Sequence, residues 1–305
     1  MTKTLGLVGS RGYVGRELTT LVEGHGDLEL RLAVSQRDGQ SAADVAATRL
    51  DVYVLALPNG TSEPYVEAIG KARPDAVIVD LSADHRFPGA TSDGASAWVY
   101  GQPERNRAAL RGARRIANPG CYATAAQLAL APLVPLVDGP AHVFGVSGYS
   151  GAGTTPSPKN DPEALRDNLM PYALTGHVHE REVATQLGHT VFFMPHVAPF
   201  FRGLTVTASV ALARAASRDE LAARYLEAYG HEPLVRFQEA PPLVRDIVEK
   251  QHTAIGGLTV SEDGRHAVVV ATLDNLLAGA ATQALRNVNL ALGFPENQGI
   301  PEVAR

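Results

Sequence analysis

The chain has 305 residues, 45% of them hydrophobic and 19% charged, and carries a formal net charge of −5. That length and apolar content exclude a disordered tail or a small stapled scaffold and leave room for two cores. An acidic balance with no basic run speaks against a nucleic-acid or membrane surface. Met1-Thr2-Lys3-Thr4 leads directly into the first predicted strand, with no leader and no apolar run of spanning length. The single cysteine cannot close an internal disulfide, so the expected setting is the reducing cytoplasm.

Thr4-Leu5-Gly6-Leu7-Val8 reads as a short buried strand and is followed at once by Gly9-Ser10-Arg11-Gly12-Tyr13-Val14-Gly15. Arg16 to Val22 continues as an amphipathic helix. Glycines at 9, 12 and 15 give a G-x-x-G-x-x-G spacing, a shifted form of the dinucleotide-binding fingerprint. In that fingerprint glycines serve the tight turn, the close approach of backbone to pyrophosphate, and helix–strand packing. The triplet alone is a weak signal. The strand before it and the helix after it favour a cofactor over a plain strand-to-helix turn. The second predicted strand, Glu29 to Val34, ends in Ser35-Gln36-Arg37, about 20 residues past the fingerprint, where an NAD-preferring site carries an acid. A hydroxyl and a guanidinium stand there instead and suit a 2′-phosphate, so the expected cofactor is NADP(H). The competing reading of Arg37 is a solvated surface charge.

Val52 to Leu57 is the next buried strand, ending at Pro58-Asn59-Gly60, and Ser62 to Ala72 the next helix. Ala76 to Leu81 is a strand that runs into Ser82-Ala83-Asp84-His85-Arg86-Phe87, and Arg115-Ile116-Ala117 is the last short strand of this half. Strand and helix alternate as in a doubly wound sheet, whose ligands bind beyond the carboxyl ends of the strands. The fingerprint, Leu57-Pro58, Ser82 and Asn118-Pro119-Gly120-Cys121 all follow such ends. Pro119 and Gly120 force a turn, and Cys121 to Leu130 has helix formers at helical spacing. The only cysteine therefore stands in the first turn of a helix. There the unpaired amides and the macrodipole favour thiolate over thiol, the setting of a covalent nucleophile. By composition alone a lone cysteine is more often a small buried hydrophobe.

From about residue 140 the texture changes to strands with longer, Gly-rich and His-bearing connections. His142 to Val146 leads into Ser147-Gly148-Tyr149-Ser150-Gly151-Ala152-Gly153-Thr154, a loop of small side chains whose amides suit an oxyanion or phosphate. His177-Val178-His179 would put both rings on one face of a strand, but with no third ligand beside it the pair makes a poor metal site. Thr190 to Met194 precedes Pro195-His196 and Arg202-Gly203, and Leu204 to Val210 alternates like a half-buried strand. Ser217 caps a helix to Tyr229, with Glu220 at capping-box spacing. Ala267 to Ala271 reads as a strand, Asp274-Asn275-Leu276 as a turn, and Gly279 to Leu292 as a helix returning to the first domain. The expected architecture is α/β. An N-terminal Rossmann-type doubly wound domain spans 1–120 plus the C-terminal helix 277–305. An α+β catalytic and oligomerisation domain spans 121–276.

Several of these segments together resemble the N-acetyl-γ-glutamyl-phosphate reductase family. They are Gly9 to Leu18, Leu55-Ala56-Leu57-Pro58, Val79 to Asp84, Tyr100-Gly101-Gln102-Pro103-Glu104, Asn118 to Thr124 and Ser147 to Gly153. Pro195-His196 with Arg202-Gly203, and Asp274-Asn275-Leu276 with Gly279-Ala280-Ala281, complete a match that runs in order from end to end. The resemblance implies NADPH-dependent reduction of an acyl phosphate through a thioester, with Cys121 as nucleophile and His196 as acid–base group. It implies cofactor contacts from Gly9, Ser10, Arg11, Gly12, Tyr13, Val14, Gly15, Ser35, Arg37, Leu57, Pro58, Ser82, Ser150, Gly151 and Asn275. Substrate contacts are expected from Asn118, Ser147, Gly148, His177, His179 and Arg202, with a structural ion pair as the other reading of Arg202. The implied partners are a free small-molecule acyl phosphate, inorganic phosphate and further copies of the chain, as homodimer or homotetramer. No nucleic acid, membrane or metal is expected. The chain departs from the family at Asn59, where histidine is common, and at His177 to Glu182, where the family has an Arg-containing stretch ending in Pro-Glu. Related acyl phosphates, carrier-bound α-aminoadipyl or aspartyl, and a non-catalytic NADP-binding regulator stand as alternatives.

Overall fold

The computed structural model describes residues 2–35, 38–89 and 97–301. Arg37 lies outside the described residues. Two compact units emerge: one runs to Gly120 and resumes at Ala280, and the other is Cys121–Gly279. Among the described residues no helix is long and apolar enough to cross a membrane.

In the first unit the strands are β1 (Lys3–Val8), β2 (Leu28–Val34), β3 (Val52–Leu55), β4 (Val77–Asp80), β5 (Val99–Tyr100) and β6 (Arg115–Ala117). They form one sheet in the order β2-β1-β3-β4-β6-β5, with every pairing parallel. β3 and β4 are buried throughout, as strands covered on both faces must be. Helices α1 (Tyr13–Glu23), α2 (Ala42–Ala47), α3 (Glu63–Ala72) and α4 (Pro103–Leu110) connect them. The last helix, Thr282–Leu292, packs against α1, α4 and β4. From β1 the chain goes outward to β2 and then crosses to β3 on the other side, so the carboxyl ends of β1 and β3 border a crevice.

The second unit opens with α5 (Cys121–Leu130) and continues through β7 (Ala141–Gly148), α6 (Pro162–Leu165), β8 (Met170–Pro171), α7 (Val178–Leu187), β9 (Val191–Ala198) and β10 (Leu204–Ala211). It closes with α8 (Arg218–Tyr229), β11 (Val235–Phe237), α9 (Val244–Ile247), β12 (Thr253–Val260) and β13 (His266–Leu273). The strands form a mixed sheet in the order β11-β12-β13-β10-β7-β9-β8. Its inner face, carrying Val143, Phe193, Val206 and Val269, buries Tyr122, Ala125, Ala129 and Leu130 of α5 and Val183 of α7 in one core. The outer face leaves Phe144 and Phe192 39% and 48% exposed.

One polar cluster is buried at the carboxyl end of β4. Asp80 accepts from Ser62 Oγ (3.1 Å), Ser82 Oγ (2.7 Å) and Ser82 N (3.0 Å), and its carboxylate lies 2.6 Å from His85 Nδ1. His85 Nε2 is 3.1 Å from Glu63, and its ring stacks on Trp98 with centroids 3.9 Å apart. Burial opposes a charge on His85, but Asp80 and then Glu63 outweigh it and raise the imidazole pKa above its ordinary value of 6.5. A raised folded pKa contributes stability that is complete below the unfolded value and fades as pH rises through the folded one. Trp98, the only tryptophan, reports this directly. Its fluorescence should be quenched by the stacked imidazolium at low pH and recover with a midpoint above 6.5. The stability advantage of wild type over His85→Gln should shrink across the same range. A midpoint at or below 6.5 would mean the two carboxylates do not hold the charge.

Candidate active site

The glycine triplet folds as its spacing demands. Gly9 takes φ +96°, and a Cβ there would lie 2.0 Å from the Ala56 carbonyl oxygen just past β3. A Cβ on Gly15 would lie 2.3 Å from the Gly9 oxygen, while Gly12 N donates to that same oxygen at 3.1 Å. Only glycine lets the backbone close this tightly. The first turn of α1 carries no side-chain cap, so its amides point to where a pyrophosphate would rest against Gly9 to Gly15. These residues fit a dinucleotide. Ser10 N and Oγ both donate to the Val34 carbonyl, binding the loop to the end of β2.

At that end the structure corrects the expectation that no acid is present. Asp38 folds back and accepts from Ser35 N (2.7 Å) and Ser35 Oγ (2.9 Å), and Arg11 Nη2 meets it at 2.6 Å. The bonds from Ser35 hold the Asp38 carboxyl below its ordinary range. Pro58 is exposed and Leu57 buried at the end of β3. Ser82 belongs to the buried Asp80 cluster, so its hydroxyl braces the loop and does not face outward. Asn118 is also buried: its Oδ1 accepts from Asn287 at 2.9 Å, and its carbonyl accepts from Arg86 Nε at 2.8 Å. This asparagine shapes the turn before the cysteine, with its side chain buried against Asn287.

Cys121 is the first residue of α5 and is half-buried. Beside it Tyr122 crosses the inner face of the sheet and donates to the His196 carbonyl at 2.8 Å. Burial chiefly, then a charge on Tyr172 or Cys121, pushes the Tyr122 phenol well up. Tyr172 is raised by burial and then by the neighbouring Cys121, which places that ring next to the thiol. Around the two tyrosines, Phe193 lies 4.9 Å from Tyr122 centroid to centroid, His179 6.1 Å from Tyr122, and His177 5.6 Å from Tyr172.

His177 and His179 are not on a strand. His177 is the N-cap of α7, its Nδ1 accepting from His179 N at 3.1 Å, and the two rings are 4.8 Å apart. Glu180, at the third helical position, accepts from Gly176 N and from Phe193 N, stitching the start of α7 to β9. Burial, then the Lys159 ammonium, lowers His177 to about 4 against a smaller opposing pull from Glu180. His177 is therefore neutral at pH 7. With Nδ1 used as an acceptor its proton sits on Nε2, and the ring can donate a hydrogen bond but cannot take a proton there.

His196 does not join this cluster. β9 pairs with β7 so that Phe193 stands beside Val143 and His196 beside Val146. Val143 and Phe193 face α5, so His196 faces the opposite side. Its ring rests on Phe144 at 4.6 Å, and its Nδ1 lies 3.2 Å from the Met194 carbonyl. The sheet itself stands between this imidazole and the thiol.

The Gly-rich loop is held by its own side chains. Asn275 Oδ1 accepts from Gly203 N (2.7 Å), and its Nδ2 donates to Ser150 Oγ (2.9 Å). Ser147, Ser150 and Asn275 are all buried, leaving the exposed Gly151 to present backbone. A Cβ on Gly148 would strike the Phe201 oxygen at 2.6 Å, so that loop and the Phe200–Gly203 segment close on each other. Arg202 takes the alternative reading, an ion pair: Nε and Nη2 reach the two oxygens of fully buried Asp274 at 2.7 and 3.1 Å. Asp274 also accepts from Leu276, Leu277 and Glu249 amides. It thereby fixes the approach to Gly279, where a Cβ would lie 2.6 Å from Cys121 Cβ. Asp38, Tyr122, Tyr172 and Asp274 carry no spacing signal as site residues; only the motifs around Tyr122 and Asp274 drew attention to them.

Two family models match the chain: a semialdehyde dehydrogenase NAD binding domain over residues 4–113, and a semialdehyde dehydrogenase dimerisation domain over residues 121–275. Among curated proteins, an N-acetyl-gamma-glutamyl-phosphate reductase of Stenotrophomonas maltophilia is 51% identical over 98% of each chain. One of Xanthomonas campestris is 52% identical over 96% of each. Among solved structures, aspartate semialdehyde dehydrogenase II of Vibrio cholerae superposes with a TM-score of 0.75 over 96% of this chain and 99% of its own, at 16% identity. Aspartate semialdehyde dehydrogenase from Francisella tularensis gives 0.74 over 95% of this chain and 99% of its own, also at 16% identity. These structures share the fold.

The Arg202–Asp274 pair yields a stability prediction. Arg202→Met strands a buried carboxylate and should cost about 3–5 kcal/mol by urea unfolding. A loss below about 1 kcal/mol would put the pair among weak, exposed ones.

Proposed function

The chain belongs to the N-acetyl-gamma-glutamyl-phosphate reductase family, and from that membership we propose that it reduces N-acetyl-γ-glutamyl phosphate to N-acetylglutamate 5-semialdehyde in arginine biosynthesis, releasing inorganic phosphate. The observation that carries the reading is Cys121 at the first helical position of α5, beside buried Tyr122 and half-buried Tyr172, whose rings contact two imidazoles on the same face of the sheet.

The Cys121 thiolate attacks the acyl carbonyl carbon, forming a C–S bond. The C–O bond to phosphate breaks, and phosphate leaves with the electron pair. The nicotinamide, when bound, supplies the hydride that converts the thioester carbon to the aldehyde level. His177, neutral and protonated on Nε2, is a donor for the oxyanion that develops at that carbon. His179 is left as the group that takes the thiol proton and passes it to the departing phosphate; after hydride transfer the oxyanion re-forms the carbonyl as the C–S bond breaks and restores the thiolate.

NADP(H) is the cofactor we assign. Supporting it are the Arg11 guanidinium beside Ser35 and a second arginine, Arg37, in the same turn of sequence. Asp38 is the counter-ion that a 2′-phosphate must displace from Ser35 and Arg11. The outer sheet face with Phe144 and Phe192 supports pairing with a second copy as homodimer or homotetramer. The lone cysteine fits action in the cytoplasm.

Phosphate-dependent oxidation of N-acetylglutamate 5-semialdehyde tests the whole reading, run with NADP and with NAD. Wild type should turn over with a preference for NADP. His179→Gln should lose about 10²–10⁴ in kcat, while His196→Gln stays within about tenfold of wild type. A preference for NAD would overturn the cofactor assignment. A larger loss from His196→Gln than from His179→Gln would overturn the choice of base.

A further inference from the structure

Lys159 lies in the short turn Pro158–Asn160, half-buried, with its ammonium 4.9 Å from the centre of the Tyr172 ring. Tyr172 is the ring beside Cys121, and it makes an edge contact with His177 at 5.6 Å. The ammonium is also near enough to His177 to oppose a charge there. The turn that carries it is braced. Asn160 Oδ1 accepts from Ser157 N at 2.8 Å, and Asn160 Nδ2 donates to the Gly153 and Thr155 carbonyls at 2.9 and 2.8 Å. The charge is thus presented from a built loop.

The acids that follow it in the chain, and the one that acts on His177, are occupied. Asp161 caps α6 through Glu163 N, Glu163 pairs with Arg166, and both Glu180 oxygens take backbone amides. Among the described residues no carboxylate pairs with Lys159. The other cation expected at the substrate, Arg202, is committed to Asp274. An acyl phosphate with a free carboxylate brings two anionic groups to the site, and a cation binds either through charge-assisted hydrogen bonds.

We infer that Lys159 is a specificity-determining residue that binds an anionic group of the substrate, its carboxylate or its phosphoryl group, from across the Tyr172 ring. This rests on the proposed acyl-phosphate chemistry and names a contact that chemistry lacks. The Lys159 ammonium sits over the face of the Tyr172 ring and keeps its N–H donors for the anion.

The test is Lys159→Met, which keeps the stem and removes the charge, with Lys159→Arg as rescue, in phosphate-dependent semialdehyde oxidation. The apparent KM for one anion should rise about 10- to 100-fold, with kcat at saturation within about threefold, and Lys159→Arg should recover most of it. A rise in the phosphate KM identifies the phosphoryl group; a rise in the semialdehyde KM identifies the carboxylate. Unchanged KM values for both, or a fall confined to kcat, would overturn the inference. Calorimetric binding of inorganic phosphate and of N-acetylglutamate to wild type and Lys159→Met gives an answer that does not depend on turnover. Affinity for one anion should fall by the same factor, and equal affinities in the two proteins would refute the contact. An inactive wild type would count against the proposed reaction alone.

Discussion

A strand can give each of its side chains to only one face of a sheet, and this constraint decides which groups meet at the Cys121 thiol. α5 buries its apolar side against Val143, Val191 and Phe193, so Cys121 arrives at the inner face together with Tyr122. Every residue of β7 and β9 is then sorted by parity. Phe193 goes to the side of the thiol; Phe144 and His196 go to the other. Tyr122 fixes the arrangement, because its hydroxyl takes the backbone oxygen of His196 while its ring stays with Phe193 and His179. The first turn of α7 brings two imidazoles onto the inner face.

The first unit was largely legible in the sequence. Parallel strands covered on both faces read as apolar runs, and β1, β3 and β4 fall on the predicted segments within a few residues. The glycine spacing was legible for a steric reason: positions 9 and 15 leave no room for a Cβ. What escaped notice was Asp38, because the acid returns to Ser35 through a turn and does not stand at the strand end itself. An arginine and an acid thus meet at the end of β2, where Arg11 pairs with Asp38.

The second unit was legible in its strands and less so in its chemistry. His196 drew attention through its Pro-His setting, but strand parity gave no warning. Phe192 and Met194 are as apolar as Val191 and Phe193, so alternation does not reveal which side is inner. His177 and His179 were read as strand neighbours because histidine is an uncommon N-cap; the deciding bonds, from His179 N to Nδ1 and from Gly176 and Phe193 to Glu180, are invisible in spacing. The capping box at Ser217 formed by half: Ser217 Oγ accepts from Glu220 N, while the Glu220 carboxylate goes to Arg214. Buried polar staples such as Asp274 and Asn275 depend on partners some 70 or more residues away, a separation no local pattern encodes.

The account stands on a covalent bond between Cys121 and the acyl group. The most direct measurement mixes the protein with N-acetyl-γ-glutamyl phosphate without nicotinamide cofactor, quenches in acid and maps peptides by mass spectrometry. The account predicts an N-acetylglutamyl adduct on the Cys121 peptide, released by hydroxylamine and absent from Cys121→Ser. An adduct of equal yield in Cys121→Ser, or none in wild type under conditions of turnover, would contradict it.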